Sequence, residues 1–203
     1  MRRFLEIVEP KPTDRVLDVG VTDSAWRSSN FLESQYPWPE RITAVALEDM
    51  PTFARIFPEV RLVVADGRCL PFDADSFEIG FSNAVIEHVG SRDDQRQFIE
   101  EMLRTCRTVF VATPNGGFPL DPHTLLPFVH WFPRRIRHPL LRWSSNGQWA
   151  SEGALNPLRA STLRSLFPPE CNVRIDRQRV LGFTTVLAAI AGHQTRPAEG
   201  EDR

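Results

Sequence analysis

Polar side chains stand at the ends of several short apolar runs in this sequence, where they could bind a small polar molecule. They are the acidic, amide and hydroxyl groups of Asp18, Glu48, Asp49, Asp66, Ser82 and Asn83. In an open α/β sheet, ligands bind outside the carboxyl ends of the strands, near the point where the strand order reverses. Polar groups that converge there from separate strands suit a polar cofactor, so these residues predict a cofactor site.

The apolar runs themselves predict five β-strands, and they alternate with helical patterns. This alternation is typical of βα units that build a parallel sheet, so an α/β fold is expected. The predicted strands cover residues 16–20, 42–47, 60–65, 77–83 and 109–113. Pro114 is expected to end the last strand, because proline cannot donate a hydrogen bond to a ladder.

The clearest predicted helix lies between the fourth and fifth strands. Ser91 can cap this helix, and Asp94 stands three residues later, as in a capping box. Apolar side chains then recur at the helical spacing that predicts a buried face, at Phe98, Ile99, Met102, Leu103 and Cys106.

Two further elements are predicted near the end of the chain. A helix that contains Leu163, Leu166 and Phe167 is expected to end at Pro168-Pro169. Residues 173–181 and 183–190 are rich in apolar side chains and flank Gly182, which predicts an antiparallel hairpin at the edge of the sheet.

The length of 203 residues fits a single domain, which we predict to cover residues 1–191. Within it, residues 114–150 form an insertion that is too long for an ordinary connector and suits a lid or a wall of the site. The polar residues 192–203 predict a disordered tail. No run resembles a secretory signal or a membrane helix, so a cytoplasmic location is expected. The cysteines lack paired spacing, which favours reduced thiols at Cys69, Cys106 and Cys171.

Four segments resemble the successive motifs of class I S-adenosyl-L-methionine (SAM) methyltransferases, most closely the methyltransferase-11-like group. They read VLDVG, ITAVALED, VVADGRCLPF and DSFEIGFSNAVIEHVG. The later segment TPNGGFPLDPHTLLPFVHWFP is similar to a bacterial subfamily that carries Thr-Pro-Asn followed by His-Thr and His-Trp. The resemblance implies a Rossmann-like, mostly parallel sheet with helices on both faces and an antiparallel C-terminal edge hairpin. It also implies methyl transfer from SAM to an acceptor, such as a sugar or another small hydroxylated molecule.

The resemblance further implies roles for single residues. Gly20 would let the backbone approach the methionine part of SAM, where a side chain would collide. Asp18 would orient the loop or reach the ammonium group through water. Glu48 would accept hydrogen bonds from the ribose hydroxyls, and Asp66 would accept one from the adenine amino group. The implied cofactor-binding residues are Asp18, Gly20, Val21, Thr22, Glu48, Asp49, Asp66, Gly67, Arg68, Asn83 and Ala84.

Two features depart from the family pattern. The loop after the first strand reads Gly-Val-Thr-Asp-Ser over residues 20–24, where further glycines are usual. The polar side chains in this loop could still bend the chain and bond to the cofactor. The usual ribose-binding acid aligns with Ala46, whereas Glu48 lies two residues later, and the period-two alternation of a strand keeps the two residues on the same face.

The candidate general bases are His88, which follows Glu87 after the fourth strand, and His123 in the insertion. A base is needed only if the acceptor is a hydroxyl group. Each histidine could instead be structural, and the same holds for Glu87, Asp121 and His130. A zinc site needs more ligands at closer spacing, so no metal is expected.

Residues 130–143 interleave four arginines with aromatic side chains. Such a segment can bind nucleic acid, an anionic acceptor, a carrier phosphate or an anionic membrane surface, or it can be a solvated helical face. The net charge of −2 gives no reason to expect nucleic acid. A small-molecule acceptor, anionic or carrier-linked, is therefore the expected partner, with peripheral membrane contact as an open alternative.

Two other functions fit the same fold class. A dinucleotide-dependent oxidoreductase would need Gly-x-Gly-x-x-Gly after the first strand, and residues 20–25 do not provide it. A non-catalytic binding or scaffold protein that kept the fold and lost the cofactor stays open, because the glycine loop is incomplete.

Overall fold

The structure is a computed structural model that describes residues 1–26, 29–118, 156–180 and 182–192. The helices of these residues are α1 (Arg2–Val8), α2 (Phe31–Gln35), α3 (Pro51–Ile56), α4 (Arg92–Thr105) and α5 (Ala160–Arg164). The strands are β1 (Val16–Val19), β2 (Ile42–Ala46), β3 (Arg61–Val64), β4 (Phe77–Asn83), β5 (Cys106–Pro114), β6 (Arg174–Val180) and β7 (Phe183–Gly192).

The described strands form one seven-stranded sheet in the order β3-β2-β1-β4-β5-β7-β6. The first five strands are parallel, whereas β7 runs antiparallel to both β5 and β6. The predicted α/β fold with an antiparallel edge hairpin is confirmed. The strand order reverses between β1 and β4, so a ligand site is expected where these two strands end.

Helices cover both faces of the sheet, as predicted. On one face, α1, α2 and α3 pack against a cluster that includes Phe110 and Ala112 of β5. On the other face, α4 and α5 pack against a cluster that includes Val109 and Val111 of the same strand. Successive side chains of a strand point to opposite faces, so the continuous apolar run of β5 serves both clusters.

Helix α4 begins as the sequence predicts. The Ser91 hydroxyl accepts a hydrogen bond from the Asp94 backbone N–H, and the Asp94 carboxylate accepts one from the Ser91 backbone N–H. The Ser91 backbone N–H and hydroxyl, followed by the Arg68 guanidinium, lower the pKa of Asp94 to about 2. The apolar face is buried at Phe98, Ile99, Met102 and Leu103.

Replacement of Ser91 by alanine is expected to lower the free energy of unfolding by about 1 kcal/mol, because the first turn of α4 loses its side-chain acceptor. Urea denaturation followed by circular dichroism measures the change. Ser91→Thr keeps a hydroxyl group and is the matched control. Equal losses in both variants would show that the cap contributes nothing.

The structure differs from the sequence prediction at several boundaries, among them the start of β5, the end of α5 and the end of β7. Strand β5 begins at Cys106, directly after α4, whereas the predicted strand begins at residue 109. The polar residues near its start interrupt the apolar run from which the strand was predicted. Helix α5 ends at Arg164 rather than at Pro168-Pro169. Gly192, which was assigned to the tail, is the last residue of β7 and pairs with Thr108. Residues 193–203 lie outside the described residues.

The chain after β5 is tied to its neighbours by backbone hydrogen bonds. The Asn115 backbone N–H donates to the Thr185 carbonyl oxygen at 2.8 Å. The side-chain amide nitrogen of Asn115 donates to the Thr184 carbonyl oxygen at 2.9 Å. The Gly116 N–H donates to the Leu158 carbonyl oxygen at 2.8 Å. The chain therefore leaves the sheet at Gly116 beside the point where it returns.

Candidate functional site at the ends of β1 and β4

The backbone turns sharply after β1 at Gly20. This residue has a φ of +106°, and its N–H donates to the Val45 carbonyl oxygen at 2.9 Å. A Cβ at Gly20 would lie 2.2 Å from Cγ2 of Val85, in the loop after β4. The predicted reason for this glycine was close approach of the cofactor. The structure supplies a different reason within the chain, namely the positive φ and the contact with Val85.

Side chains take the place of the missing glycines in the loop after Gly20. The Asn30 side chain accepts a hydrogen bond from the Thr22 N–H at 3.0 Å and donates one to the Thr22 carbonyl oxygen at 2.9 Å. The Asp23 carboxylate accepts a hydrogen bond from the Phe53 N–H in α3, at 2.8 Å. The Ser24 hydroxyl accepts one from the Trp26 N–H at 3.1 Å. The side chains of Asp23 and Ser24 therefore bond to the chain itself, in line with the predicted bending of this loop, and hydrogen bonds from the loop to the cofactor stay a prediction.

A small recess lies at the reversal point, and we call it the switch-point recess. It brings together three of the predicted residues nearest β1, namely Asp18, Gly20 and Val21, with Asn83 at the end of β4. The other lining residues were not predicted; they are Ser29, Asn30, Phe31, Leu32, Glu33 and Phe81.

Two carboxyl groups are buried in the switch-point recess. The Asp18 residue is 5% exposed and the Glu33 residue is 3% exposed. Burial, followed by the charge of Glu33, raises the pKa of Asp18. Burial also raises the pKa of Glu33. The sequence pattern does not predict Glu33 as a site residue. The signal for its burial was its position adjacent to Leu32 and three residues before Tyr36, both of which are buried.

Glu33→Gln is expected to flatten the pH dependence of stability. The folded state holds protons on the buried carboxyls more tightly than the unfolded chain does, so wild-type stability falls as the pH rises from about 4 toward the raised pKa. The variant lacks one of these carboxyls and should gain on the wild type as the pH rises. Urea denaturation across pH tests this, with the exposed Glu59→Gln as control. Parallel curves for Glu33→Gln and wild type would contradict it.

The end of β4 forms the other wall of the recess. The Ser82 hydroxyl donates to the Val19 carbonyl oxygen at 2.9 Å and ties β4 to β1. Ala84 has a φ of +56°, which is uncommon for a residue with a side chain, and its N–H donates to the Ala112 carbonyl oxygen at 2.9 Å. These contacts hold Asn83 at the recess while the chain turns away from the sheet.

Glu48 and Asp49 follow β2 and are both exposed. The strand ends at Ala46 and the chain bends at once, so the expected sharing of a face between Ala46 and Glu48 is wrong. The Asp49 carboxylate accepts a hydrogen bond from the Met50 N–H at 3.1 Å. The roles of Glu48 and Asp49 toward the ribose stay predictions.

Asp66 follows β3 and is engaged by Arg68. The guanidinium donates to the carboxylate at 2.7 and 3.1 Å, and the Arg68 N–H donates to it at 2.8 Å. The same guanidinium donates to Asp94 at 2.8 Å. A Cβ on Gly67 would lie 2.6 Å from the Phe98 ring, so this glycine permits close packing on α4. Binding of adenine by residues 66–68 stays a prediction.

Arg68→Met is expected to raise the pKa of Asp66, because hydrogen bonds from Arg68 are the main reason that this pKa is lowered. Nuclear magnetic resonance titration of the carboxyl carbon measures it. The side chains of the pair are 41% and 37% exposed, so the free energy of unfolding should fall by less than about 1 kcal/mol. Arg96→Met, which removes a guanidinium elsewhere on α4, should leave the Asp66 titration unchanged.

His88 and Glu87 lie in the short 3₁₀ turn Ile86–His88 after β4. Glu87 is buried, and its carboxylate accepts a hydrogen bond from the Thr113 hydroxyl at 2.9 Å, which ties the turn to β5. The Glu87 carbonyl oxygen accepts a hydrogen bond from the Asn156 N–H at 2.7 Å. Glu87 thus makes a structural contact, and a structural role was one of the two predicted for it.

Catalysis by His88, which is half-buried, stays a prediction. His123, Asp121, His130 and the arginines of residues 130–143 lie outside the described residues. Within the described part of the chain, no group of histidine, cysteine and acidic side chains is arranged to hold a metal ion. No helix of that part is long and apolar enough to cross a membrane.

One known family is similar to the part of the chain that forms this edge of the sheet. Residues 17–109 match the family model described as a methyltransferase domain. The matched region runs from β1 into β5 and includes each predicted cofactor-binding residue. No protein of curated function is detectably similar to the chain.

Solved structures share the fold at low identity. A SAM-dependent methyltransferase from Aquifex aeolicus is 12% identical with a TM-score of 0.55, over 94% of this chain and 87% of that one. Geranyl diphosphate C-methyltransferase from Streptomyces coelicolor, in complex with Mg²⁺, geranyl diphosphate and S-adenosyl-L-homocysteine, is 12% identical with a TM-score of 0.58, over 94% and 77%. A structure from Rhodobacter sphaeroides described as putative Zn-dependent alcohol dehydrogenases is 15% identical with a TM-score of 0.64, over 94% and 88%.

Identities this low establish the fold alone, and the neighbours include proteins described by different chemistries. The family model adds that residues 17–109, which supply the ends of β1 to β4, are similar to a methyltransferase domain. The chain therefore resembles methyltransferases over this region and shares the fold of solved SAM-dependent methyltransferases.

Proposed function

We propose that this domain methylates a small hydroxylated molecule, such as a sugar. The observation that carries the cofactor part of the proposal is the switch-point recess, where two buried carboxyl groups stand beside Gly20 and Asn83. Burial of carboxyl groups is costly, and buried acids with perturbed pKa values cluster at functional sites. SAM fits this site because its methionine part carries an ammonium group. When bound, SAM supplies an electrophilic methyl group that passes to a nucleophile and leaves S-adenosyl-L-homocysteine.

The chain's own residues would bind and orient the two reactants. Asp18 and Glu33 would receive the ammonium group, Glu48 would accept hydrogen bonds from the ribose, and residues 66–68 would surround the adenine. Asn83 and Ala84 would form the wall beside the acceptor. Positioning of this kind can supply much of the rate of a methyl transfer, because the attack requires close contact along one line.

A hydroxyl acceptor would also need a base, and we propose His88 for that part. The histidine belongs to the turn that follows β4, at the edge of the sheet where Asn83 ends the strand. A half-buried imidazole in contact with solvent can take a proton from the acceptor and return it to water. His123 is the second candidate, and its support comes from the sequence alone.

The acceptor class is supported by sequence and by similarity rather than by contacts. The interleaved arginines and aromatic residues of 130–143 suit a phosphate-bearing or carrier-linked acceptor. A fold neighbour is described in complex with geranyl diphosphate, which shows that this fold accommodates a diphosphate in that protein. The same chemistry in this chain is a proposal.

Two measurements test the proposed function. Titration calorimetry with S-adenosyl-L-homocysteine tests the cofactor, and absence of binding by this ligand and by SAM would leave the non-catalytic scaffold as the better reading. Transfer of a labelled methyl group from SAM to free sugars and to phosphate-linked sugars tests the acceptor. Transfer confined to nucleic acid or protein would contradict the proposal.

The proposed base has its own test. His88→Gln is expected to lower kcat by about 10²-fold or more while it leaves the affinity for S-adenosyl-L-homocysteine unchanged. His123→Gln is the parallel variant. Turnover that persists in both variants would show that neither histidine takes the proton.

A further inference from the structure

The switch-point recess contains one more acid than the family resemblance assigns to it. Asp18 comes from β1. Glu33 comes from α2, which packs on the face of the sheet that α1 and α3 also cover. Both residues are buried and line this recess, and the negative charge of Glu33 contributes to the raised pKa of Asp18. Neither oxygen of Glu33 receives a hydrogen bond from an N–H or hydroxyl group of the other described residues.

The burial of two acids in one recess indicates a bound proton. Asp18 and Glu33 are both withdrawn from water, which strongly disfavours the ionised form of a carboxyl group. Two negative charges this close in a buried site would also repel each other strongly. The pair therefore holds one proton and one negative charge in the free protein.

In the part of the chain that the structure describes, the surroundings of the pair offer no other charge to replace this proton. The strand neighbours of Asp18 are Ala44 on β2 and Phe81 on β4, and both are apolar. The remaining polar groups at the recess include the neutral amides of Asn30 and Asn83. Among the described residues, the charged group that acts on each acid is the other acid.

We propose that the Asp18–Glu33 pair is the receptor for the ammonium group of the cofactor and exchanges its shared proton for that cation. This inference rests on the proposed function. No covalent bond forms or breaks. The shared proton passes to solvent, and both carboxyls become ionised. The N–H groups of the ammonium then donate hydrogen bonds to the two carboxylates. Glu33 is thereby a binding residue alongside Asp18.

Proton release on binding is the direct test. Titration calorimetry of the wild type with S-adenosyl-L-homocysteine is run at one pH in buffers with different ionisation enthalpies. The expected dependence on buffer corresponds to about one released proton per bound ligand, at a pH where the free pair holds its proton. Within that pH range the affinity should rise by about tenfold for each unit by which the pH is raised. Binding that releases no proton at any pH from about 5 to 9 would overturn the inference and leave the proposed function intact.

Two controls locate the proton. Glu33→Gln has a neutral amide that can donate to Asp18, so it should bind S-adenosyl-L-homocysteine without proton release, whereas Glu59→Gln should behave as the wild type. Methylthioadenosine lacks the amino-acid part of the cofactor, and it should bind the wild type without releasing a proton. Proton release that persists in Glu33→Gln, or with methylthioadenosine, would place its source elsewhere.

Infrared spectroscopy tests the pair without any variant. The free wild-type protein should show the carbonyl stretch of a protonated carboxyl at neutral pH, and S-adenosyl-L-homocysteine should remove it. Absence of the band in the free protein would overturn the inference. A band in a protein that binds neither SAM nor S-adenosyl-L-homocysteine would overturn both the exchange and the proposed function.

Discussion

Replacement of Gly20 by alanine is expected to lower the free energy of unfolding by about 2–5 kcal/mol. Two effects combine at this residue. A side chain at a positive φ costs about 1–2 kcal/mol. The new Cβ would also press on Cγ2 of Val85 at 2.2 Å, and overpacking of this kind costs about 1–3 kcal/mol. Urea denaturation of the variant and the wild type measures the loss.

Gly182 offers a matched control for this prediction. It also has a positive φ, of +85°, but a Cβ there would meet nothing within 4 Å. Gly182→Ala should therefore show the conformational cost alone, and Val85→Ala should return part of the loss when it is added to Gly20→Ala. If Gly20→Ala loses no more stability than Gly182→Ala, the contact with Val85 does not determine the need for glycine.

Asn30→Ala is expected to have the second large effect, a loss of about 1–3 kcal/mol in the free energy of unfolding. The Asn30 side chain is buried and makes two hydrogen bonds to the backbone of Thr22. Its removal breaks both bonds, each worth about 0.5–1.5 kcal/mol, because Thr22 is exposed and water can take the place of the amide. The same change should weaken binding of S-adenosyl-L-homocysteine, because the loop that Asn30 holds forms one side of the switch-point recess.

Thermal unfolding and titration calorimetry measure the two effects of Asn30→Ala. Ser34→Ala is the control, because it removes a hydroxyl that donates to the Asn30 carbonyl oxygen but leaves the bonds to Thr22 intact. Unchanged ligand affinity in Asn30→Ala would show that this loop does not shape the site.

The sequence predicts the sheet well because its signal is local. The runs at β1 and β2 are mostly apolar, and β4 is predicted with the bounds that the structure shows. The capping box of α4 depends on Ser91 and Asp94, which are three residues apart. Patterns of this kind are contained in one segment of the chain, so they can be recognised without knowledge of the fold.

The details of the site are harder to predict because they depend on contacts between segments. The predicted role of Asp66 takes no account of Arg68, whose guanidinium engages this acid and Asp94 together. Glu33 stands on a five-residue helix, too short to show a clear periodicity, and only the packing of α2 on β1 reveals its burial. The prediction that Glu48 takes the place of the usual acid at Ala46 required β2 to continue beyond Ala46. The strand ends at that residue.

The hydrogen bond from Gly116 to Leu158 also bears on how enzymes with this sheet could diverge. Because Gly116 and Leu158 lie side by side, the number of residues between them can change without a strand having to move, and the entropy of joining two fixed points changes only slowly with that number. Selection for a new methyl acceptor could therefore act on that segment almost independently of selection for a stable scaffold.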